Sequence, residues 1–126
     1  MEESLDRDDL AKFDNTERLH EFSTLTPNVL LTDGAKYVAD HGGAYWLMDI
    51  IAQNQMLNED YLVESFQHWT LTVDNAFLGK VECEDGNNNI IFRKYIEYTA
   101  FPLRSIDLYA IHVKPRIIIM LPGEYS

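Results

Sequence analysis

The chain has little of what several function classes require. Cys83 is the one cysteine in 126 residues, so no internal disulfide can form. A reducing, cytoplasmic setting is the expectation that follows. No apolar run approaches the roughly 18 residues of a membrane-spanning helix. The acidic start, MEESLDRDD, lacks the basic-then-apolar layout of a secretory signal. Basic residues are scarce: 10 Lys and Arg stand against 21 Asp and Glu, for a formal charge of −11. Phosphate contacts need clustered Lys and Arg, which argues against direct nucleic-acid binding. The glycines make neither a G-x-G-x-x-G fingerprint nor a phosphate loop ending in GKS or GKT, and no serine sits in a G-x-S-x-G elbow. His20, His41, His68 and His112 are widely spaced and form no HxxxH or HExxH pair. No catalytic, cofactor or metal site is therefore expected.

What is present is the composition of a packed protein, 46% apolar, at a length that suits one domain over 1–126. The charge is uneven. Residues 1–64 carry 14 acidic and 4 basic side chains, whereas residues 65–126 carry 7 and 6. An acidic layer keeps a small protein soluble and attracts basic partners.

The organising stretch runs from Leu30 to Gln55. Thr32 is an expected N-cap, with Asp33 in the first turn where the helix dipole favours a carboxylate. Ala35, Val38 and Ala39 recur at helical spacing beside Tyr37, and Gly42 sits where a left-handed residue would end the helix. A second helix over Ala44 to about Asn54 carries Trp46, Leu47, Ile50 and Ile51 on one stripe, flanked by Tyr45, Met48 and Ala52. It is expected to be the central core helix, with its apolar side centred on Trp46. Ser4 can cap a first helix over Leu5–Phe13, and Asn58 a short one reaching Phe66. Val29–Leu31 has the composition of a short strand.

From Trp69 the period changes to two. Trp69, Leu71 and Val73 alternate with His68, Thr70 and Thr72. After a turn at Asp74-Asn75, Phe77, Val81 and Cys83 are expected inward and Lys80, Glu82 and Glu84 outward. Asp85-Gly86-Asn87-Asn88 is a strong hairpin signal. Ile90, Phe92, Ile96 and Tyr98 then share a face that Lys94 interrupts, which calls for a bulge or a stem along the rim. Ile106–Val113 and Ile117–Leu121 complete about five strands. The expected fold is α+β: N-terminal helices (1–66 mainly helical) packed on a C-terminal antiparallel sheet (67–122).

Two candidate surfaces follow. Asp33, Tyr37, His41, Tyr45, Trp46 and Asp49 could line a pocket between the helices and the sheet. Asp33, His41 and Asp49 could hold a metal only if the two helices fold back antiparallel, and capping and solvation roles explain these residues more simply. Ile117, Ile119 and Leu121 lie on a strand apolar on both faces. Such a strand must be central, covered, or paired across a subunit interface. Cys83 is expected to be a buried, inert thiol. Asp85-Gly86-Asn87-Asn88-Asn89 lacks the spaced ligands of a calcium loop.

Thr32-Asp33-Gly34, Tyr37, Ala44-Tyr45-Trp46-Leu47 with Asp49, Phe66-Gln67 with Trp69, Cys83-Glu84-Asp85-Gly86-Asn87, Phe101-Pro102-Leu103, and Leu121-Pro122 with Glu124-Tyr125 together resemble a small bacterial domain family of unknown function. The resemblance spans most of the chain beyond about Thr16, and Arg18–Asn28 departs from it. It implies occurrence in bacteria, phages or other mobile elements, and it carries over no catalytic role. The functional expectation is a small, acidic, non-enzymatic interaction module that binds a protein partner or itself as a homodimer. An inhibitor of a basic host protein is the extension of that reading. The alternative is a small-molecule or metal-binding protein or enzyme using the helix–sheet pocket.

Overall fold

Alternating apolar and polar residues build a broad sheet, and helical periodicity builds the layer that covers one of its faces. The computed structural model describes residues 5, 7–57, 66–113 and 115–125. Its elements are α1 (Arg7–Leu10), β1 (His20–Glu21), β2 (Val29–Leu31), α2 (Asp33–Gly42), α3 (Tyr45–Leu57), β3 (Phe66–Val73), β4 (Gly79–Glu84), β5 (Ile90–Ile96), β6 (Ser105–Val113), β7 (Arg116–Met120) and a 3-10 turn at Pro122–Glu124. The expected cap at Ser4 and the helix after Asn58 lie outside the described residues. Phe66 opens a strand rather than closing a helix.

The α+β architecture holds, but the sheet is larger and mixed. Seven strands run in the order β1-β2-β7-β6-β3-β4-β5. Four pairings among β3 to β7 are antiparallel. β2 adds itself parallel to β7, Val29 opposite Ile117 and Leu31 opposite Ile119, and β1 closes the edge antiparallel to β2. The short apolar segment at Val29–Leu31 is thus a strand, as its composition suggested. It reaches a partner at the far end of the chain that local pattern cannot reveal.

That pairing also explains the last strand. β7 lies between β2 and β6, and Ile117, Ile119 and Leu121 are 5%, 0% and 5% exposed. Their apolarity is satisfied inside one chain, as is usual for a strand buried in a sheet interior. The interface expected on these three side chains therefore loses its basis.

The core is the helix-facing side of the sheet. Trp69, Leu71, Val81, Cys83, Leu108, Ala110 and Ile119 pack with Val38, Ala39, Leu47, Met48 and Ile51. Burial of each large side chain removes apolar area worth about 1.5–3 kcal/mol. The stripe of α3 that meets the sheet is Leu47, Met48, Ile51, Ala52 and Gln55; Trp46 and Ile50 are half-buried at its margin. The centre is thus one position away from Trp46, because a helix apolar on nearly every side does not mark its inner face by periodicity. Cys83 is buried and forms no disulfide.

Two backbone details differ from expectation. Gly43, not Gly42, takes the left-handed conformation, at φ 60, and caps α2. Gly42 is needed for space, since a Cβ there would lie 2.7 Å from Phe101 Cε1. In the Asp85 hairpin the positive φ falls on Asn88. The bulge falls at Ile91 rather than Lys94: Cys83 pairs with Phe92 and Glu84 with Ile90. Ile90 consequently turns to the outer face, 48% exposed, while Lys94 stays opposite Val81 on the edge strand. A lysine on the inner side of an edge strand obstructs pairing by another chain. No helix among the described residues is long and apolar enough to cross a membrane.

Candidate functional site

Among the described residues, four of the six expected around one pocket are engaged by local partners of their own. Asp33 starts α2 and accepts from Glu17 N at 2.8 Å, with His20 Nε2 at 2.7 Å. The hydrogen bond from His20 and the Glu17 amide hold its carboxyl below the ordinary 3.8. Tyr37 stacks on His41 at 4.1 Å, meets Phe13 at 5.2 Å, and donates to Asp9 at 3.3 Å. Tyr45 donates to Asp40 at 2.5 Å. Burial and that bond push the Tyr45 phenol up to about 12, so it serves as a donor. Trp46 is half-buried and Asp49 exposed. Among the described residues no three His, Cys, Asp or Glu side chains gather as metal ligands. The Asp85 carboxyl is used inside its turn, accepting from Asn87 N, Asn89 N and Asn89 Nδ2.

The His20–Asp33 pair gives a pH prediction. A carboxyl whose folded value is lowered stabilises the fold above its unfolded value, and that contribution disappears as pH falls through the folded value. Asp33→Asn is expected to be less stable than wild type near neutral pH, with the gap closing progressively below 3.8. Thermal melts of the two proteins across that range measure it; a gap independent of pH refutes the assignment.

What α2 does bring together are two motifs from opposite ends of the chain. Thr32 caps the helix by accepting from Ala35 N. Its hydroxyl also donates to Glu124 Oε1 at 2.6 Å, across 92 residues. Gly34 N donates to Glu124 Oε2 and Leu121 N to Oε1, both at 2.9 Å. A Cβ on Gly34 would lie 2.5 Å from Glu124 Oε1 and 2.7 Å from Leu121 Cδ1, so glycine is required by close approach. Glu124 is 6% exposed. Thr32-Asp33-Gly34 and Leu121-Pro122-Gly123-Glu124 thus form one buried lock, which is structural in character.

A second polar group lies on the outer face. His68 Nε2 is 2.9 Å from Asp107 Oδ1, and Thr70 donates to the same oxygen at 3.2 Å. Tyr109 meets His68 edge-on at 5.4 Å. An imidazole oriented by a carboxylate can act as a base, but Thr70 already donates to that carboxylate and is no activated nucleophile.

The feature that local packing does not account for is at the β3–β4 turn. Phe77 was expected inward; instead it sits at φ 63 and is 50% exposed. A bulky residue in the left-handed region is unusual, since its Cβ crowds the backbone. The turn is firmly held: Asp74 Oδ1 accepts from Ala76 N at 2.8 Å and Leu78 N at 2.9 Å. Asp74 N donates to Leu78 O at 3.0 Å, and Thr99 N to Phe77 O at 2.9 Å. Tyr98, 67% exposed, meets Phe77 at 5.7 Å. Leu78 and Tyr95, 38% and 59% exposed, border a recess on the other side with Thr72 and Lys80. Apolar side chains on this end of the sheet are thus presented to solvent by a rigid backbone. The Asp74-Asn75 signal marked the turn, and extending it by three residues would have placed Phe77 on its tip.

Comparison with known proteins agrees with this architecture. A crystal structure of a protein of unknown function from Enterococcus faecalis matches 86% of this chain and 99% of its own, with a TM-score of 0.54 at 18% sequence identity. That similarity concerns the fold. No curated protein matches the chain. The model of a family of unknown function, DUF6876, matches residues 4–125. The chain therefore belongs to the DUF6876 family.

Proposed function

We propose that this chain is a non-enzymatic protein-interaction module that grips its partner through Phe77, Leu78, Tyr95 and Tyr98. The partner is a basic protein with an apolar recess that takes Phe77, and covering that surface inhibits it. The observation that carries this reading is an exposed phenylalanine held in a left-handed conformation by a hydrogen-bonded turn. Backbone strain at an exposed aromatic is a cost that its own packing does not repay, and such strain marks presentation to something else. A preorganised aromatic loses little entropy on binding and suits the anchor of an interface.

Charge supplies the second half of the argument. A formal charge of −11 opposes association of two copies and steers cationic partners. Asp33, Asp40 and Asp9 are engaged by His20, Lys36 and Lys12. Charge therefore acts as a long-range field that raises the on-rate, and the aromatic patch holds the complex. A cytoplasmic setting suits the buried Cys83 thiol.

The test places a photo-crosslinking amino acid at position 98 and, as a control, at position 25, whose leucine is 85% exposed. The captured protein is then purified and titrated. Phe77→Gly is expected to weaken binding at least roughly thirtyfold, while Leu25→Ser leaves it unchanged. Phe77→Gly is also expected to keep full stability in thermal melts, because release of about 1 kcal/mol of left-handed strain offsets the lost Tyr98 contact. Affinity that ignores Phe77→Gly, or crosslinking only between copies of this chain, refutes the reading.

A further inference from the structure

The sheet has a notch beside β6, and the register shows its cause. Val73 N donates to Arg104 O at 2.8 Å, on the β3 side. Hydrogen-bonded pairs alternate in an antiparallel ladder. The backbone groups of Ile106 and Leu108 therefore also face β3, and those of Ser105, Asp107 and Tyr109 face away from it. Tyr109 meets Met120 of β7 there. Two residues on, where Pro122 would stand opposite Asp107, the chain turns away. Proline has no N–H to donate, and the Pro122 carbonyl accepts from Tyr125 N at 3.1 Å. Arg7 Nη2 donates to Ser105 O. Among the described residues no backbone hydrogen bond closes the Asp107 N–H and C=O. The Asp107 carboxyl is turned elsewhere, to the outer face of the sheet, with His68 and Thr70.

The space beside that N–H and C=O is about 320 Å³. Leu10, Phe13, Ile106 and Leu121 line it from the helix-covered side, where all four pack with the core. We propose that this notch binds a neutral, flat heterocycle whose edge sets an N–H donor beside an acceptor, the edge that free nucleobases such as adenine carry. The N–H and C=O of one residue project side by side from a strand, so they match two neighbouring groups of opposite kind on one ligand edge. An amino-acid residue paired there would carry its side chain to the outer face, away from the apolar lining. A flat ring has no such constraint. It lies in the plane of the sheet, pairs with Asp107 along its edge, and lays one face over Leu10, Phe13 and Leu121. In adenine the amino group donates to Asp107 C=O, and the adjoining ring nitrogen accepts from Asp107 N–H. Charge selects the neutral form. Arg7 is spent on Ser105, and two carboxyls, Asp14 and Asp107, border the notch, so an anion is repelled. An organic cation would need a carboxylate aimed at it, and that of Asp107 is turned away. The volume lies at the lower end of small-ligand sites. The site is separate from the Phe77 patch, and neither reading depends on the other.

The experiment titrates the ¹⁵N-labelled full chain with adenine, purine and adenosine 5′-monophosphate. Adenine is expected to shift the Ser105, Ile106 and Asp107 amides saturably. Purine keeps the ring and lacks the amino donor, and is expected to bind roughly tenfold more weakly. The monophosphate is expected to bind more weakly than adenine as well, because its charge meets Asp14. Leu10→Ala is expected to weaken adenine binding roughly fivefold by removing lining from under the ring. If that variant does not fold, the comparison of the three ligands on the wild-type chain decides. Absence of a saturable shift at Asp107, or shifts confined to the Phe77 and Leu78 amides, overturns the proposal. So does equal affinity for adenine and purine, a monophosphate that binds as tightly as adenine, or unchanged affinity in a folded Leu10→Ala variant.

Discussion

Glu124→Ala is expected to lower stability by about 4 kcal/mol, a large share of what a small domain has. For a chain of this size that is a fall of roughly 15 °C in Tm. The reason is what the side chain leaves behind. Thr32 Oγ1, Gly34 N and Leu121 N all donate to Glu124, at 2.6, 2.9 and 2.9 Å. Gly34 and Thr32 are buried, and a buried donor without an acceptor costs about 1–3 kcal/mol. The Thr32 hydroxyl can turn to Ile119 O, 3.3 Å away, so the three losses do not add in full. Gly34 N–H belongs to the first turn of α2, where no carbonyl within the helix can serve it.

Glutamine at 124 sharpens the test. Its one oxygen can still serve Thr32 and Leu121, but its NH₂ then faces the Gly34 N–H, donor against donor. Glu124→Gln is expected to lose roughly half of what alanine loses. Thermal melts of the three proteins measure both. A Tm fall under about 5 °C for Glu124→Ala would show that the lock contributes little.

This lock also shows what the sequence could and could not tell. Thr32 is legible as an N-cap because capping is local chemistry, and the structure has it accepting from Ala35 N. The alternation over Trp69–Val73 and the Asp85 hairpin are legible for the same reason. Glu124 is not, because its partners lie 92 and 90 residues away. It entered only through the resemblance, with no role attached. The parallel β2–β7 pairing was hidden likewise, and β1, at two residues, is too short to show a period. The stripe Trp46, Leu47, Ile50 and Ile51 centres the expected inner face of α3 on Trp46. The sheet instead receives Leu47, Met48 and Ile51. The alternation of Val81 and Cys83 extends to Phe77 in sequence, but the backbone turn is still closing there, with Phe77 N donating to Asp74 O. Of the six pocket residues, four have local partners: Asp33 meets His20, Tyr37 and His41 stack on each other, and Tyr45 meets Asp40. Residue types that could serve chemistry were thus used up in holding α2 and its approach segment.

The second large effect is expected inside the core, where α3 meets β3. Gln55 Nε2 donates to Gln67 Oε1 at 2.7 Å, and Gln67 Nε2 returns the bond to Gln55 Oε1 at 3.0 Å. Trp69 Nε1 donates to Gln67 Oε1 at 3.0 Å. The three side chains are 1%, 2% and 1% exposed. Two amides facing each other this way satisfy one donor and one acceptor each, which is what makes them tolerable in an apolar interior. Gln67→Leu keeps nearly the same volume, so no large cavity forms, yet it strips the Gln55 amide of both bonds and Trp69 of this one. The expected cost is about 3 kcal/mol, or roughly 10 °C in Tm. Replacing both glutamines by leucine is expected to be less harmful than Gln67→Leu alone, because the Gln55 groups that had been left without partners are gone too. A double-mutant cycle should therefore show a coupling of about 1–2 kcal/mol, and tryptophan fluorescence should report the altered surroundings of Trp69 in every variant lacking Gln67. If the two substitutions simply add, the amide pair does not stabilise α3 on the sheet as a unit, and the helix is held there by its apolar stripe alone.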